Sequence, residues 1–269
     1  MKRKTKTKLA NFCIPLVIFF ACQIIPAALF GSAVGYVTNE IPLDSSVSTF
    51  LEDNAIILIT LFVDLVTIIV ALIYMKVKHL QPQGRHEGID GQGWLVLIIL
   101  ACLIWLFGGQ FGQWLADITN DPMSLNYQEQ LGGGNPGMLL LLACVAAPCA
   151  EELAIRGIAY SYWRKNWSAQ TTIYATALLF ALIHGTVMHG YFTFALGIIL
   201  AYVYQRTNKL RNCIFIHMGF NTISMLATGI LYAVGIDLSK VLIAPWILGF
   251  MSIAILVVLQ IGFVSKVED

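Results

Sequence analysis

Residues 55–74 read AIILITLFVDLVTIIVALIY, a run of 20 residues in which Asp64 is the one charged side chain. A helix needs about 20 apolar residues to cross the hydrocarbon core of a bilayer. The whole chain has the same character, since 58% of its 269 residues are hydrophobic and only 12% are charged. A soluble domain carries roughly 25% charged residues. The sequence therefore predicts an all-α polytopic membrane protein.

Eight apolar runs are long enough to be considered as spans, and they form one membrane domain over residues 1–269 without an internal repeat. The sixth is the shortest and is predicted to be tilted, kinked or incomplete. A signal peptide is not expected at the first run, because it is too long and more spans follow. The runs are Leu9–Val37, Ala55–Tyr74, Gly93–Gln113, Gly137–Tyr160, Ala169–His184, Tyr191–Gln205, Cys213–Val234 and Val241–Val264.

Basic residues are confined almost entirely to one set of predicted loops. With eight spans, 14 of the 16 Lys and Arg residues fall on one side, whereas Lys240 falls on the other and Arg156 within a span. The positive-inside rule then predicts that both termini are cytoplasmic. Because the basic clusters are split among tails and short loops, they indicate topology and not a nucleic-acid surface. The 14 are Lys2, Arg3, Lys4, Lys6, Lys8, Lys76, Lys78, Arg85, Arg164, Lys165, Arg206, Lys209, Arg211 and Lys266.

The six cysteines and the two long polar segments are predicted to have structural roles. The cysteines lie in apolar stretches without a C-x-x-C pair, which is typical of small core residues and not of disulfides or zinc ligands. Residues 78–92 are predicted to form a polar cytoplasmic loop, and residues 113–136 an outer loop ending in GGGNP. A plain connector is favoured there over a substrate gate.

Ionisable residues within predicted spans need an explanation, because a charge in hydrocarbon is costly. The stretch APCAEELAIRG at 147–157 contains three of them. Glu152 and Arg156 are four residues apart, so they share a helical face and can neutralise each other. Glu151 points about 100° away around the helix. An acid without a local partner suits a general base.

Further polar groups occur in the next spans. His184 ends an apolar run with Phe180 one turn earlier, and His217 and Asn221 form an i, i+4 pair. Because each of these helices must keep its polar groups away from lipid, we expect them to face a common interior. A carboxylate, two imidazoles and a carboxamide suit peptide hydrolysis. His189 was expected in a short turn, with no functional role.

The ordered motifs E-E-x-x-x-R (Glu151, Glu152, Arg156), F-x-x-x-H (Phe180, His184) and H-x-x-x-N (His217, Asn221) resemble the CAAX-protease and bacteriocin-processing family. This family, also called Abi, consists of intramembrane endopeptidases and includes the Ras-converting endoprotease. The resemblance covers residues 137–224, the predicted catalytic core.

The resemblance implies roles for these residues. Glu151 would activate water, His184 would help to hold it, and His217 and Asn221 would stabilise the oxyanion. Glu152, Arg156 and Phe180 would be supporting residues. The substrate would be a membrane-associated, lipidated or secreted peptide. Its cleavage would take place at the cell membrane and would serve bacteriocin or pheromone processing, self-immunity, or trimming after a prenylated cysteine.

Two questions stay open at this stage. No cofactor is favoured, but Glu151, His184 and His217 could form a zinc site with an open position. The alternative functions are a transporter that uses these charges as a proton or ion relay, in which Asp64 would take part, and a catalytically inactive membrane scaffold. If the catalytic residues converge, we expect the site to lie in the membrane nearer the cytoplasmic side.

Overall fold

The computed structural model describes residues 2–42, 44–85, 87–122, 134–236 and 243–267, with the side chains of residues 2–6 and Tyr232 left aside. Within these ranges the structure is helical, with seven helices long and apolar enough to cross a membrane and one shorter apolar helix. The protein is therefore a multi-pass helical membrane protein. Its helices are α1 (Lys2–Glu40), α2 (Ser45–Val77), α3 (Gly91–Thr119), α4 (Pro136–Trp163), α5 (Ala169–Ile183), α6 (Val187–Thr207), α7 (Leu210–Ala233) and α8 (Pro245–Gly262).

The helices begin where the sequence provides a polar cap. An N-cap side chain accepts a hydrogen bond from one of the backbone N–H groups that the first turn leaves without a partner. Asn135 accepts from the N–H groups of Gly137 and Met138, and Pro136 occupies the first position of α4, where the missing N–H has no consequence. The same role is filled by Asp44 for α2, Asp90 for α3, Ser168 for α5 and Thr186 for α6.

The predicted extent of the fifth run, Ala169–His184, agrees with α5 to within one residue, but its interpretation as a span is wrong, and so is the predicted length of the sixth span. Helix α5 has 15 residues, too few to cross a hydrocarbon core, whereas α6 has 21 residues. Helix α6 begins at Val187, after the cap at Thr186 and four residues before the predicted start at Tyr191, and it ends at Thr207, two residues after the predicted end at Gln205. His189 therefore lies in the first turns of α6 and not in the expected turn.

Helix α6 forms the centre of the bundle. In its most apolar window 61% of the residues are buried, the largest share of any candidate span. It packs against α3, α5, α7 and α8, and α2 packs against α1 and α4 on the other side of the molecule. The outer faces of the peripheral helices expose large apolar side chains, as expected for surfaces in contact with lipid.

The polar segment after α2 is attached to the end of α6. The Gly84 N–H donates to the Asn208 side chain at 2.9 Å, and the Gly88 N–H donates to the Arg206 carbonyl at 3.0 Å. Asn208 ends α6 in the left-handed conformation. A Cβ on Gly84 would lie 2.5 Å from the Tyr204 carbonyl oxygen, so only glycine permits this close approach.

The cysteines are free, and they differ in environment more than the sequence suggested. Cys22, Cys144 and Cys213 are buried and Cys13 and Cys149 are half-buried, but Cys102 is exposed on α3. The expected core location is therefore wrong for Cys102, because the apolar face of a membrane helix can point to lipid as well as inward.

Several predictions concern residues outside the described ranges. These are most of the outer loop, for which a plain connector is favoured over a substrate gate, and Lys240 in the loop before α8. The cytoplasmic location of both termini, and the depth of the site in the membrane, stay predictions.

Candidate active site

Helix α4 changes its winding on both sides of the paired glutamates. The segments Leu142–Ala146 and Leu153–Tyr160 are wound as wider π-helix, and Ala147–Glu152 between them is α-helical. Pro148 lacks an N–H and cannot complete the i→i−4 ladder, so a widened turn just before it relieves the conflict. Single π-turns inside α-helices are frequent at functional sites. This local irregularity sets the directions of Glu151 and Glu152.

Glu152 and Arg156 form a fully buried ion pair, with Arg156 Nη1 2.8 Å from Glu152 Oε1. The second guanidinium nitrogen of Arg156 donates to the Gly197 carbonyl of α6 at 2.8 Å. The guanidinium also lies 5.0 Å from the centre of the Phe180 ring, within the range of a cation–π interaction. The pair therefore joins α4 to α5 and α6. The charges of its two side chains compensate each other, so the pair adds no net charge next to Glu151.

His217 of α7 lies between the two glutamates and is almost fully buried. Its Nδ1 is 3.1 Å from Glu152 Oε1, so an Nδ1 proton donates to that carboxylate. Its Nε2 is 3.7 Å from Glu151 Oε2. Glu152 thus fixes the ring orientation, and the other ring nitrogen of His217 is directed at Glu151.

His184 approaches Glu151 from the end of α5. Its Nδ1 donates to the Phe180 carbonyl one turn earlier at 2.7 Å, which directs Nε2 to Glu151 Oε1 at 4.0 Å. The buried Phe180 ring packs edge-on against both imidazoles, with ring centres 4.8 Å from His184 and 5.4 Å from His217. Phe180 therefore holds the two histidines in place.

Asn221 lies one turn after His217 on α7 and reaches the widened turn of α4. Its Nδ2 donates to the Ala143 carbonyl at 2.7 Å. One amide hydrogen is used in this contact, and the second hydrogen and the carbonyl oxygen remain for other partners. The side chain lies at the wall of the same cavity as Glu151.

A cavity of about 370 Å³ joins these groups at the meeting point of α1, α2, α4, α5, α6 and α7. The four residues predicted to be catalytic all line it, together with Phe180. The lining also includes polar residues to which the sequence had given no place in the site, namely Gln23, Thr60, Asp64, Thr67, His189 and Thr193.

The polar residues of α2 that line the cavity follow a pattern in the sequence, in which Asp64 stands out as a charge and the two threonines can be added from their spacing. Thr60, Asp64 and Thr67 are spaced i, i+4 and i+7, which places them on one face of an otherwise apolar helix. No comparable pattern points to Gln23 of α1, which donates to the Thr67 hydroxyl at 3.3 Å. His189 was assigned to a turn because the start of α6 was misplaced.

Glu151, His184 and His217 are the three residues that could form a zinc site according to the sequence. Among the described residues, no group of three His, Cys, Asp or Glu is placed to hold one metal ion. Catalysis without a metal stays a prediction.

Residues 134–223 match the model of the family described as type II CAAX prenyl endopeptidase Rce1-like. The match contains all the residues of the three sequence motifs and covers α4 to the middle of α7. Neither the curated proteins nor the solved structures give a match.

Proposed function

We propose, from the premise that residues 134–223 belong to the Rce1-like family of CAAX prenyl endopeptidases, that this membrane protein hydrolyses peptide bonds with a glutamate-activated water. The observation that carries the proposal is the convergence of two imidazole Nε2 atoms on the Glu151 carboxylate, at 3.7 and 4.0 Å, in a shared cavity. These separations exceed a direct hydrogen bond and suit a water molecule bound between the groups.

Glu151 would act as the general base. Its carboxylate takes a proton from the water while the oxygen forms a bond to the carbonyl carbon of the substrate. His184 would accept the second water hydrogen at Nε2, because its Nδ1 hydrogen already donates to the Phe180 carbonyl. This arrangement orients a lone pair of the water oxygen towards the substrate.

His217 and Asn221 would stabilise the negative oxygen of the tetrahedral intermediate. His217 lies between the carboxylates of Glu151 and Glu152, and a hydrogen on its Nε2 would be donated to that oxygen. Asn221 has one amide hydrogen beyond the one that it donates to the Ala143 carbonyl. Removing a single donor of this kind costs about 10²–10³ in kcat.

The proposed substrates are membrane-associated or lipidated peptides. The description of the matched family supports a prenylated CAAX peptide. The location of the cavity among membrane helices supports substrates that approach from the bilayer. Bacteriocin or pheromone processing and self-immunity belong to the same proposal.

The experiment uses the purified full-length protein in lipid nanodiscs. Two fluorogenic peptides are offered, one with a farnesylated cysteine in a C-terminal CAAX sequence and one with an apolar membrane-spanning segment, and products are identified by mass spectrometry. Glu151→Gln and His184→Ala should abolish cleavage, whereas Glu52→Gln, an exposed glutamate at the start of α2, should not. Undiminished cleavage by Glu151→Gln would exclude Glu151 as the base.

The same preparation distinguishes the remaining alternatives. We propose catalysis without a metal, so prolonged chelation followed by metal analysis should leave cleavage unchanged. Loss of activity on chelation and recovery with zinc would establish the zinc alternative. An ion relay would instead appear as proton flux in sealed vesicles that depends on Asp64, and a scaffold as full biological function in cells carrying Glu151→Gln.

A further inference from the structure

Asp64 is a buried carboxyl group in the same cavity as Glu151. It lies in the middle of the 33-residue helix α2 and is only 5% exposed. Its Oδ2 atom is shielded from solvent and has no hydrogen-bond partner among the described residues. The group is close enough to Glu151 to interact with it electrostatically, and both side chains line the cavity.

The hydroxyl groups that could have satisfied Asp64 are used elsewhere. Thr60 donates to the Ile56 carbonyl, and Thr67 donates to the Val63 carbonyl, each at 2.8 Å within α2. A buried polar group that serves only to join helices is expected to have a partner. Asp64 has the opposite arrangement, since its buried Oδ2 has no hydrogen-bond partner among the described residues although the residue lines the cavity, and such a group costs stability in the free protein.

The proposed reaction leaves one requirement for which no residue has yet been assigned. When the tetrahedral intermediate collapses, the departing amide nitrogen must receive a proton to leave as a neutral amine. Glu151 holds the proton taken from water but faces the two histidines. Asp64 is a second carboxyl in the same cavity, and its Oδ2 has no hydrogen-bond partner among the described residues, so in its protonated form it can donate to a substrate nitrogen.

We propose that Asp64 is a catalytic general acid that protonates the leaving amine, an inference that rests on the proposed peptidase function. Glu151 takes a proton from water, and the hydroxide oxygen bonds to the carbonyl carbon. The carbon–nitrogen bond then breaks as Asp64 gives its proton to the nitrogen. The proton on Glu151 passes through cavity water to Asp64, so the net reaction is peptide and water to acid and amine.

The test compares an amide with an ester. An alcohol leaves far more easily than an amine and depends less on a proton donor. A depsipeptide with an ester at the scissile position should therefore be hydrolysed largely without the help of Asp64. The probes are the fluorogenic peptide that the wild-type protein cleaves and its depsipeptide analogue. For Asp64→Asn we expect kcat on the peptide to fall about 10²-fold or more, and on the ester less than about tenfold.

The ratio of ester to amide turnover is independent of the fraction of folded protein, so partial misfolding of a variant does not affect the result. Asp64→Glu, which keeps an ionisable proton, should recover part of the amide activity, and Glu52→Gln should leave the ratio unchanged. Equal losses on both probes would assign Asp64 a structural role, and unchanged amide turnover would show that it is dispensable. Either result would overturn the proposed role of Asp64. The peptidase proposal would not be affected, because Glu151→Gln tests it separately.

Discussion

Replacing Gly197 with alanine should move α6 away from α5 and disturb the site from behind. An alanine Cβ at this position would lie 2.9 Å from Ala177 Cα and 3.2 Å from Phe180 Cδ1. The first neighbour is backbone, so the contact cannot be relieved by rotation of a side chain. Gly197 also accepts the hydrogen bond from Arg156 through its carbonyl, so a shift here strains the buried ion pair.

The magnitude follows from a matched substitution on the same helix. A Cβ on Gly190 would meet no atom within 4 Å. Gly190→Ala therefore gains the higher helix propensity of alanine over glycine, about 1 kcal/mol, without overpacking. Overpacking a well-packed core costs about 1–3 kcal/mol. The two variants should therefore differ by about 1–3 kcal/mol, with Gly197→Ala the less stable.

The assay is reversible unfolding in mixed micelles of increasing SDS content, followed by tryptophan fluorescence, together with turnover of the peptide probe. Phe180 holds both histidines, so its displacement should lower kcat for Gly197→Ala by about tenfold, since small misplacements of catalytic groups are expensive. Equal stability of Gly197→Ala and Gly190→Ala, to within about 0.5 kcal/mol, would refute the close packing of α5 against α6.

Three further predictions concern other parts of the molecule. Glu152→Gln keeps the acceptor Oε1 but removes the countercharge of buried Arg156. SDS unfolding should therefore show destabilisation of about 3 kcal/mol or more. An unchanged stability would contradict a charged pair. Gly84→Ala should clash with the end of α6 and expose the segment after α2 to limited trypsin digestion, whereas Gly91→Ala, where a Cβ has open space, should stay resistant. Single cysteines added at either terminus of a cysteine-free variant should be protected from an impermeant maleimide outside intact cells, and labelling of one terminus alone would require an odd number of spans.

The candidate site was largely predictable because its chemistry depends on residues that are unusual in a membrane helix. Glu151, Arg156 and His217 stand out in apolar sequence, and their order along the chain carries the family resemblance. The i, i+4 spacing also predicted the contact between Glu152 and Arg156, which the structure shows at 2.8 Å. Asp64 was noticed for the same reason, but its position relative to Glu151 depends on how α2 packs against α4.

The start of α6 could not be predicted from apolar periodicity. The helix starts four residues before the predicted run, directly after the cap at Thr186, and His189 and Gly190 interrupt the apolar pattern in its first turn. The same misplacement removed His189 from the predicted site, although it lines the cavity.

The sequence by itself determined that this is a helical membrane protein and which polar residues its interior must accommodate. Hydropathy and charge act locally, because each helix must satisfy its own backbone and hide its own charges from lipid. Only the tertiary structure decided that Glu152 fixes the His217 ring, that Phe180 supports two histidines, and that Asp64 has no hydrogen-bond partner for its buried oxygen within the described residues. These relations join side chains from different helices, and their geometry depends on packing distances and on the widened turns of α4, which no spacing along the chain specifies.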